Sequence, residues 1–157
     1  MLYVWMKVLH ILAVVLFLGN IITGVFWHRH AERTKNPRLL AHTVEGIIRS
    51  DRLFTMPGVL AIIATGVIAA IAANFPILGT GWILWTLVLF GVSGACFGMR
   101  IAPLQRQLLA LAQAGGQSGS FDFDAYRRVA VRWEIWGAVA TATPLVGLAL
   151  MVLKPAI

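Results

Sequence analysis

Charged residues and cysteines are scarce in this 157-residue sequence. Only 12% of the residues are charged and 59% are hydrophobic, whereas a soluble domain carries about 25% charged residues. This composition excludes an ordinary soluble domain and makes the lipid bilayer the expected solvent. The single cysteine, Cys96, has no partner in the chain, which excludes an intramolecular disulfide and a cysteine zinc site. The sequence also lacks a Walker loop, a nucleophile elbow, a zincin helix and a dinucleotide fingerprint.

Long apolar segments make up most of the chain. Four of them approach the roughly 20 residues that a helix needs to cross a bilayer: 3–27, 56–74, 80–99 and 133–153. Each is apolar nearly all round, which is typical of membrane spans and not of amphipathic surface helices. Segment 3–27 is too long for the apolar part of a secretory signal, and no small-residue cleavage site follows it. We therefore predict an all-α fold, a single integral membrane domain in which four transmembrane helices form a bundle.

The net charge of +7 comes from two connections between these segments. Eleven of the thirteen lysines and arginines lie there: Arg29, Arg33, Lys35, Arg38, Arg49 and Arg52 in the first, and Arg100, Arg106, Arg127, Arg128 and Arg132 in the third. Basic loops stay in the cytoplasm, which predicts that both termini lie on the outer side of a bacterial-type plasma (inner) membrane. The same distribution favours anionic lipid head groups, and not nucleic acid, as partners.

Small residues in two of the spans predict close contacts between helices. In the second span they recur at every fourth position: Ala61, Thr65, Ala69 and Ala73. Gly94 and Gly98 form a similar pair in the third span. A glycine face that stays exposed would suit a homodimer or a larger membrane complex.

Ionisable side chains inside a span are costly and are therefore functional candidates. His10 follows Trp5 by five residues, about 7 Å below the outer interface at the rise of a helix, and an imidazole there can be an axial ligand of haem iron. Lys7 lies one turn earlier and Lys154 ends the fourth span, so both ammonium groups could pair with haem propionates. Met151, at the same level, is a candidate second axial ligand. In the alternative interpretation His10 hydrogen-bonds to a neighbouring helix, and the two lysines only extend to water.

The remaining polar residues are predicted to have structural roles. Asn20 should make a hydrogen bond between helices. Glu134 and Arg100 should form an ion pair at the cytoplasmic helix ends, and Asp51 and Arg52, which precede the second span, could join the same cluster. Proton handling by Glu134 is the alternative. Three histidines lie among basic loop residues, where we expect solvated side chains: His28, His30 and His42. An interfacial metal or a second haem is the alternative for these histidines.

Three short motifs stand out: Tyr3-x-Trp5-x-Lys7-x-Leu9-His10-Ile11, Met56-Pro57 at the start of the second span, and the closing Val152-Leu153-Lys154-Pro155. They resemble motifs of the HemJ-type protoporphyrinogen oxidases, small helical membrane proteins associated with haem b. CopD-type copper-resistance domains are more distantly similar. The resemblance implies that His10 is the first-helix haem ligand and that Lys154 is the lysine of the terminal V-x-K-P. The HemJ pattern has a lysine early and a histidine late in its third helix, where this chain has Trp85-Thr86 and Phe97-Gly98-Met99.

The whole chain is also similar to an uncharacterised group described only as predicted integral membrane proteins. This similarity is carried by FLGNIITGVFW, RSDRLFTMPG and the KP ending, and it implies topology but no activity. The function that we predict is a haem-b-binding membrane protein in electron transfer or porphyrin redox chemistry. The alternative is a non-enzymatic structural or accessory subunit of a membrane complex, and a small transporter or copper-handling protein is a third hypothesis.

Overall fold

Four long helices form the protein, and two of them contain a π-helical turn. The computed structural model describes residues 1–156. In chain order the elements are α1 (Leu2–Glu32), α2 (Pro37–Ser50), a first π-helical turn (Asp51–Thr55), α3 (Met56–Ala72), α4 (Gly81–Cys96), a second π-helical turn (Phe97–Ile101), α5 (Ala102–Ser118) and α6 (Phe123–Leu153). The four long helices are α1, α2 continued through the first π-helical turn into α3, α4 continued through the second turn into α5, and α6. The described residues form no strand, and each of the four is long and apolar enough to cross a membrane. The predicted all-α class with four candidate spans is confirmed.

The helices pack as two pairs. α1 packs against α3, and α4 packs against α6, whereas within residues 1–156 α3 and α4 do not pack on each other. The rings of Phe17 on α1 and Phe90 on α4 bridge the pairs, with their centroids 5.7 Å apart. Because the pairs meet at few points, the bundle keeps an internal space between them.

A second layer of helices lies at the end of the bundle that carries the basic connections, here named the basic end. α2 is amphipathic and starts at Asn36, whose Oδ1 accepts hydrogen bonds from the backbone N–H groups of Arg38 (3.0 Å) and Leu39 (3.3 Å). Its apolar side packs against α5 in the larger of two buried clusters. The most deeply buried members of that contact are Leu40, Val44, Leu108 and Ala112. This layer fixes the basic ends of the two helix pairs relative to each other.

The small residues do not all serve the packing predicted for them. In the second long helix, Gly58 and Gly66 lie against α1, since a Cβ at Gly58 would be 3.5 Å from Cβ of Phe17. Gly94 and Gly98 are exposed, and a Cβ at either would meet nothing within 4 Å. The close helix contact predicted for this pair is therefore not made within residues 1–156.

Candidate functional site

His10 is half-buried at the contact of α1 with α3. Its Nδ1 lies 3.0 Å from the carbonyl oxygen of Ile62 and 3.2 Å from Oγ1 of Thr65. Because a carbonyl oxygen can only accept, Nδ1 carries the proton and Nε2 keeps its lone pair. The imidazole approaches α3 at Gly66, where a Cβ would lie 3.0 Å from Cε1 of His10. Among residues 1–156, Nε2 makes no hydrogen bond.

The other residues predicted for haem binding are divided between the two helix pairs. Lys7 is exposed one turn before His10 on the same helix. Lys154 follows α6, and its Nζ lies 5.5 Å from the centroid of the Trp82 indole ring, a cation–π distance. Met151 is half-buried on α6, which packs against α4. Within the described chain, neither Lys154 nor Met151 forms a hydrogen bond or ion pair with His10.

A buried polar cluster lies where α1, the first π-helical turn and α5 meet; we call it the Asp51 cluster, formed by Asn20, Asp51, Thr55 and Gln105. Nε2 of Gln105 donates to Oδ2 of Asp51 over 2.8 Å, and Oγ1 of Thr55 donates to Oδ1 over 2.9 Å. Nδ2 of Asn20 donates to Oγ1 of Thr55 (2.9 Å) and to Oδ1 of Asp51 (3.2 Å). Asp51 is only 8% exposed, and the donors that compensate for the burial of its carboxyl group are all neutral.

This cluster forms one part of the wall of a cavity of about 480 Å³ between the two helix pairs. The rest of the lining is almost entirely apolar and comes from all four long helices. Exposed residues on α3, on α4 and in the second π-helical turn line the same space, so it opens sideways between α3 and the helix that α4 begins. These residues are Met56, Ile63, Gly91, Gly94 and Gly98. His10 does not line the cavity.

His28 and Tyr126 form a second buried polar contact, at the basic end. Both side chains are 0% exposed, and Nε2 of His28 lies 2.9 Å from the hydroxyl of Tyr126. The expectation that His28 is solvated is wrong, because α1 continues as a helix to Glu32 and carries this ring into the core. Tyr126 lies seven residues before the predicted fourth span. Its burial, and to a smaller extent the negative charge of Glu32, raise the pKa of Tyr126, so the phenol stays neutral. His30 and His42 are exposed, as predicted.

Glu134 takes part in an ion-pair network that differs from the predicted pair. Its carboxylate lies 3.3 Å from Arg29 and 3.4 Å from Arg127, and Arg127 also binds Glu32 at 3.0 Å. The predicted pairing with Arg100 is wrong, because the Arg100 guanidinium instead lies over the indole ring of Trp136 on α6, 5.3 Å from the ring centroid. Asp51 belongs to the separate cluster described above, so the prediction that it joins Glu134 is also wrong.

Potential metal ligands also meet at this network. One ligand atom from each of His28, Glu32 and Glu134 lies within 4.8 Å of the others. Arg127 pairs with both carboxylates and Arg29 pairs with that of Glu134, so two guanidinium charges balance the two carboxylate charges. The arrangement is therefore that of an ion-pair network that ties α1 to α6, and a further cation there would be repelled by both arginines.

Gln105, Tyr126 and the cavity were not among the features predicted from the sequence. Asn20 was correctly expected to hydrogen-bond between helices. Gln105 was not predicted to be buried, and a glutamine amide among leucines is the signal that could have indicated this contact. The partnership of His28 with Tyr126 joins residues 98 positions apart in the chain, which no local pattern indicates.

The four apolar long helices and the buried polar contacts between them define a helical integral membrane protein. A family model described as "Predicted integral membrane protein (DUF2269)" matches residues 4–155. The chain belongs to this family, whose function is unknown. No curated protein and no solved structure matches the chain.

Proposed function

We propose that this protein binds haem b in the membrane and acts in electron transfer or porphyrin redox chemistry, with His10 as an axial ligand. The observation that carries the proposal is the hydrogen bond from Nδ1 of His10 to the carbonyl oxygen of Ile62. Histidine ligands usually donate their other ring N–H to a carbonyl or carboxylate, which fixes the tautomer and orients the ring. His10 has this arrangement, with Nε2 left as the donor atom for iron.

The side chains near His10 are compatible with a haem that has the His10 imidazole as one axial ligand. Lys7, one turn away and exposed, supplies an ammonium group for a propionate. Lys154 and Met151, on the other helix pair, remain candidates for a second propionate and a second axial position. When bound, haem supplies a one-electron couple, whereas the chain supplies the imidazole, its hydrogen bond to Ile62 and an apolar surrounding that tunes the potential.

The experiment is a reduced-minus-oxidised absorption spectrum of protein purified in detergent after expression with ample haem. His10→Ala is the test variant, and His42→Ala, which alters an exposed histidine on α2, is the matched control. We expect b-type bands in the wild type and in His42→Ala and their loss in His10→Ala. Bands of equal size in all three proteins, or none in the wild type, would overturn the assignment.

The second candidate is a non-enzymatic subunit of a membrane complex. The same contacts of His10 with Ile62 and Thr65 favour it, because they join α1 to α3 without any ligand. In this role the exposed Gly94 and Gly98 would receive a helix of a partner or of a second copy. Under this hypothesis the wild type lacks haem, and affinity purification from mild detergent recovers a defined membrane partner or a homodimer that Gly98→Leu disrupts.

We also propose that the basic end faces the cytoplasm of a bacterial-type plasma membrane, beside anionic lipid head groups. Eleven of the thirteen basic residues lie in the two connections at this end, and such loops are retained on the cytoplasmic side. Alkaline phosphatase fused after residue 156 should be active, and a green fluorescent protein at the same position should be dark. The reverse pattern would contradict this orientation.

A further inference from the structure

The cavity between the helix pairs combines a large apolar body with one polar region. Its lining consists mostly of aliphatic and aromatic side chains and of glycines, and the Asp51 cluster contributes most of the polar side chains. A volume of about 480 Å³ falls within the range of sites for small organic ligands, roughly 300–1,000 Å³. His10 does not line the cavity, so a ligand in this space is independent of haem binding.

The side chains of the Asp51 cluster donate their hydrogens to one another. Both hydrogens of the Asn20 amide are engaged, since Nδ2 donates to Asp51 and to Thr55. The hydroxyl of Thr55 and the amide nitrogen of Gln105 each donate to the Asp51 carboxylate. Among residues 1–156, only the second amide hydrogen of Gln105 is an unpaired donor of this cluster.

The three other polar side chains of the lining offer the cavity no donor. Oγ of Ser93 donates to the carbonyl oxygen of Ala140 over 2.6 Å, and Oγ1 of Thr141 donates to that of Gly137 over 2.7 Å. The indole N–H of Trp133 has almost no accessible surface, so it does not face the cavity. The polar part of the wall therefore presents acceptors almost exclusively.

Free acceptor atoms remain in the Asp51 cluster. Within the part of the chain that the structure describes, the side-chain carbonyl oxygens of Asn20 and Gln105 accept no hydrogen bond, and neither oxygen is fully buried. The Asp51 carboxylate receives three hydrogen bonds, whereas its two oxygens can accept about four. A ligand that fits this wall must therefore donate hydrogen bonds.

The charge of the wall selects among donor ligands. Asp51 is the only ionisable residue that lines the cavity, and no described lysine, arginine or histidine forms an ion pair with it. A buried carboxylate without a cation is unfavourable, and a positive charge beside it would lower that cost. A neutral hydroxyl group would supply a donor but no charge. A primary ammonium supplies both a positive charge and three donor hydrogens.

The opening of the cavity admits an apolar ligand from the side of the bundle. Gly91, Gly94 and Gly98 are exposed at this opening, and a Cβ at any of them would meet nothing within 4 Å. The absence of side chains at these positions leaves a passage towards the bilayer. The rings of Phe90 and Phe97 belong to the lining and provide apolar surface for the rest of the ligand.

We propose that this cavity binds a lipophilic primary amine in its ammonium form, which enters from the bilayer between α3 and the helix that α4 begins. Its N–H groups donate to the Asp51 carboxylate and to the amide oxygens of Asn20 and Gln105, and its apolar part fills the space between the helix pairs. The ammonium of phosphatidylethanolamine is attached to a phosphate, which would be buried in a wall without a cation. The ligand is therefore a free amine and not this lipid.

The first test compares two probes of equal length, phenylhexylamine and phenylhexanol, on the full-length wild type in phosphatidylcholine nanodiscs. Binding of tritiated phenylhexylamine is measured by scintillation proximity, with empty nanodiscs as the blank. We expect saturable binding, and we expect phenylhexanol to displace the label at least about tenfold less well than unlabelled phenylhexylamine does. Equal displacement would assign the cavity to a neutral hydroxyl ligand, and this result or a lack of saturable binding would overturn the proposal.

The second test removes the negative charge from the wall. Asp51→Asn keeps the size of the side chain, and Asp124→Asn is the matched control, since it makes the same change at an exposed aspartate that does not line the cavity. We expect Asp124→Asn to bind phenylhexylamine like the wild type and Asp51→Asn to bind it at least about tenfold more weakly. Equal affinity in the three proteins would overturn the proposal.

Two measurements on the wild type keep the proposal falsifiable if Asp51→Asn does not fold. Photo-crosslinking with a diazirine derivative of phenylhexylamine should label peptides that contain cavity residues, and labelling confined to peptides outside the cavity would overturn the proposal. Phosphatidylethanolamine added to the nanodiscs should leave the affinity for phenylhexylamine unchanged. A fall of about tenfold or more would instead assign the cavity to the head group of that lipid.

Discussion

Gln105 donates a hydrogen bond of 2.8 Å from Nε2 to Oδ2 of Asp51, and this contact joins α5 to the first π-helical turn. Both residues are buried, and the cavity lies beside them. π-helical turns within α-helices are frequent at functional sites. Here the turn carries Asp51 and Thr55 on the same helical segment and allows both to reach Asn20 of α1.

Removal of the Gln105 amide should destabilise the protein. Gln105→Leu keeps the size of the side chain but leaves one oxygen of Asp51 buried without a donor, which costs about 1–3 kcal/mol. The midpoint of thermal unfolding in detergent, measured by intrinsic fluorescence, should fall. Gln107→Leu, an exposed glutamine on the same helix, is the control and should leave the midpoint nearly unchanged. Equal effects of the two substitutions would show that the cluster does not stabilise the bundle.

Loss of the Tyr126 hydroxyl should also destabilise the fold. In Tyr126→Phe the 2.9 Å contact with Nε2 of His28 disappears, and Nδ1 of His28 already lacks a partner among the described residues. Two ring nitrogens would then be buried without hydrogen bonds, so we expect a loss of about 1–3 kcal/mol. Tyr3→Phe, at a partly exposed tyrosine, is the control in the same unfolding measurement. A Tyr126→Phe protein as stable as the wild type would contradict this role.

The sequence was sufficient to predict the fold class, because length and hydrophobicity alone mark a membrane span. The predicted segments 3–27 and 133–153 lie within single long helices, whereas segment 56–74 runs past the helix end at Ala72 and segment 80–99 begins one residue before the helix start at Gly81. The continuation of those helices at the basic end was harder to predict. This continuation of the helices beyond the spans depends on the packing of α2 against α5. Hydropathy alone does not show which amphipathic helices contact each other, so it could not predict this packing.

The polar contacts were predictable only in part. Asn20 is a lone amide in an apolar segment. An amide without hydrogen bonds is unfavourable in lipid, which predicted a hydrogen bond from Asn20 to another helix. The partner of Glu134 could not be deduced, since Arg29, Arg100 and Arg127 are all near helix ends at the same level and only the rotation of each helix decides among them. Gly94 and Gly98 gave a pattern typical of helix contact, but the separation of the two helix pairs leaves them beside a cavity.

A methyl group at Gly66 should displace the His10 imidazole. In Gly66→Ala the new Cβ would lie 3.0 Å from Cε1 and 3.2 Å from Nδ1 of His10, closer than ordinary contact, so the hydrogen bond to Ile62 should weaken. We expect a lower unfolding midpoint and, in haem-loaded protein, shifted b-type bands. Gly19→Ala, which adds a Cβ with no neighbour within 4 Å, should be neutral or stabilise by about 0.5–1 kcal/mol through helix propensity. A Gly66→Ala protein with the wild-type midpoint and spectrum would contradict the packing of His10 against α3.

The ion pair of Arg127 with Glu32 should contribute little to stability. Although the atoms lie 3.0 Å apart, the arginine side chain is 43% exposed, and such pairs have coupling energies of about 1 kcal/mol or less. A double-mutant cycle with Arg127→Gln and Glu32→Gln, measured by urea unfolding in detergent, should give a coupling in this range that falls as salt is added. A coupling of several kcal/mol that is insensitive to salt would show that the network is effectively shielded from water.

The central claim, that Nε2 of His10 binds haem iron, is tested most directly by chemical rescue. Haem-supplied His10→Gly protein is recorded in a reduced-minus-oxidised spectrum with and without added imidazole, beside the wild type. The account predicts b-type bands in the wild type, none in His10→Gly, and their return when free imidazole occupies the space left by the side chain. Unchanged bands in His10→Gly without imidazole, or the absence of bands from haem-supplied wild type, would contradict it.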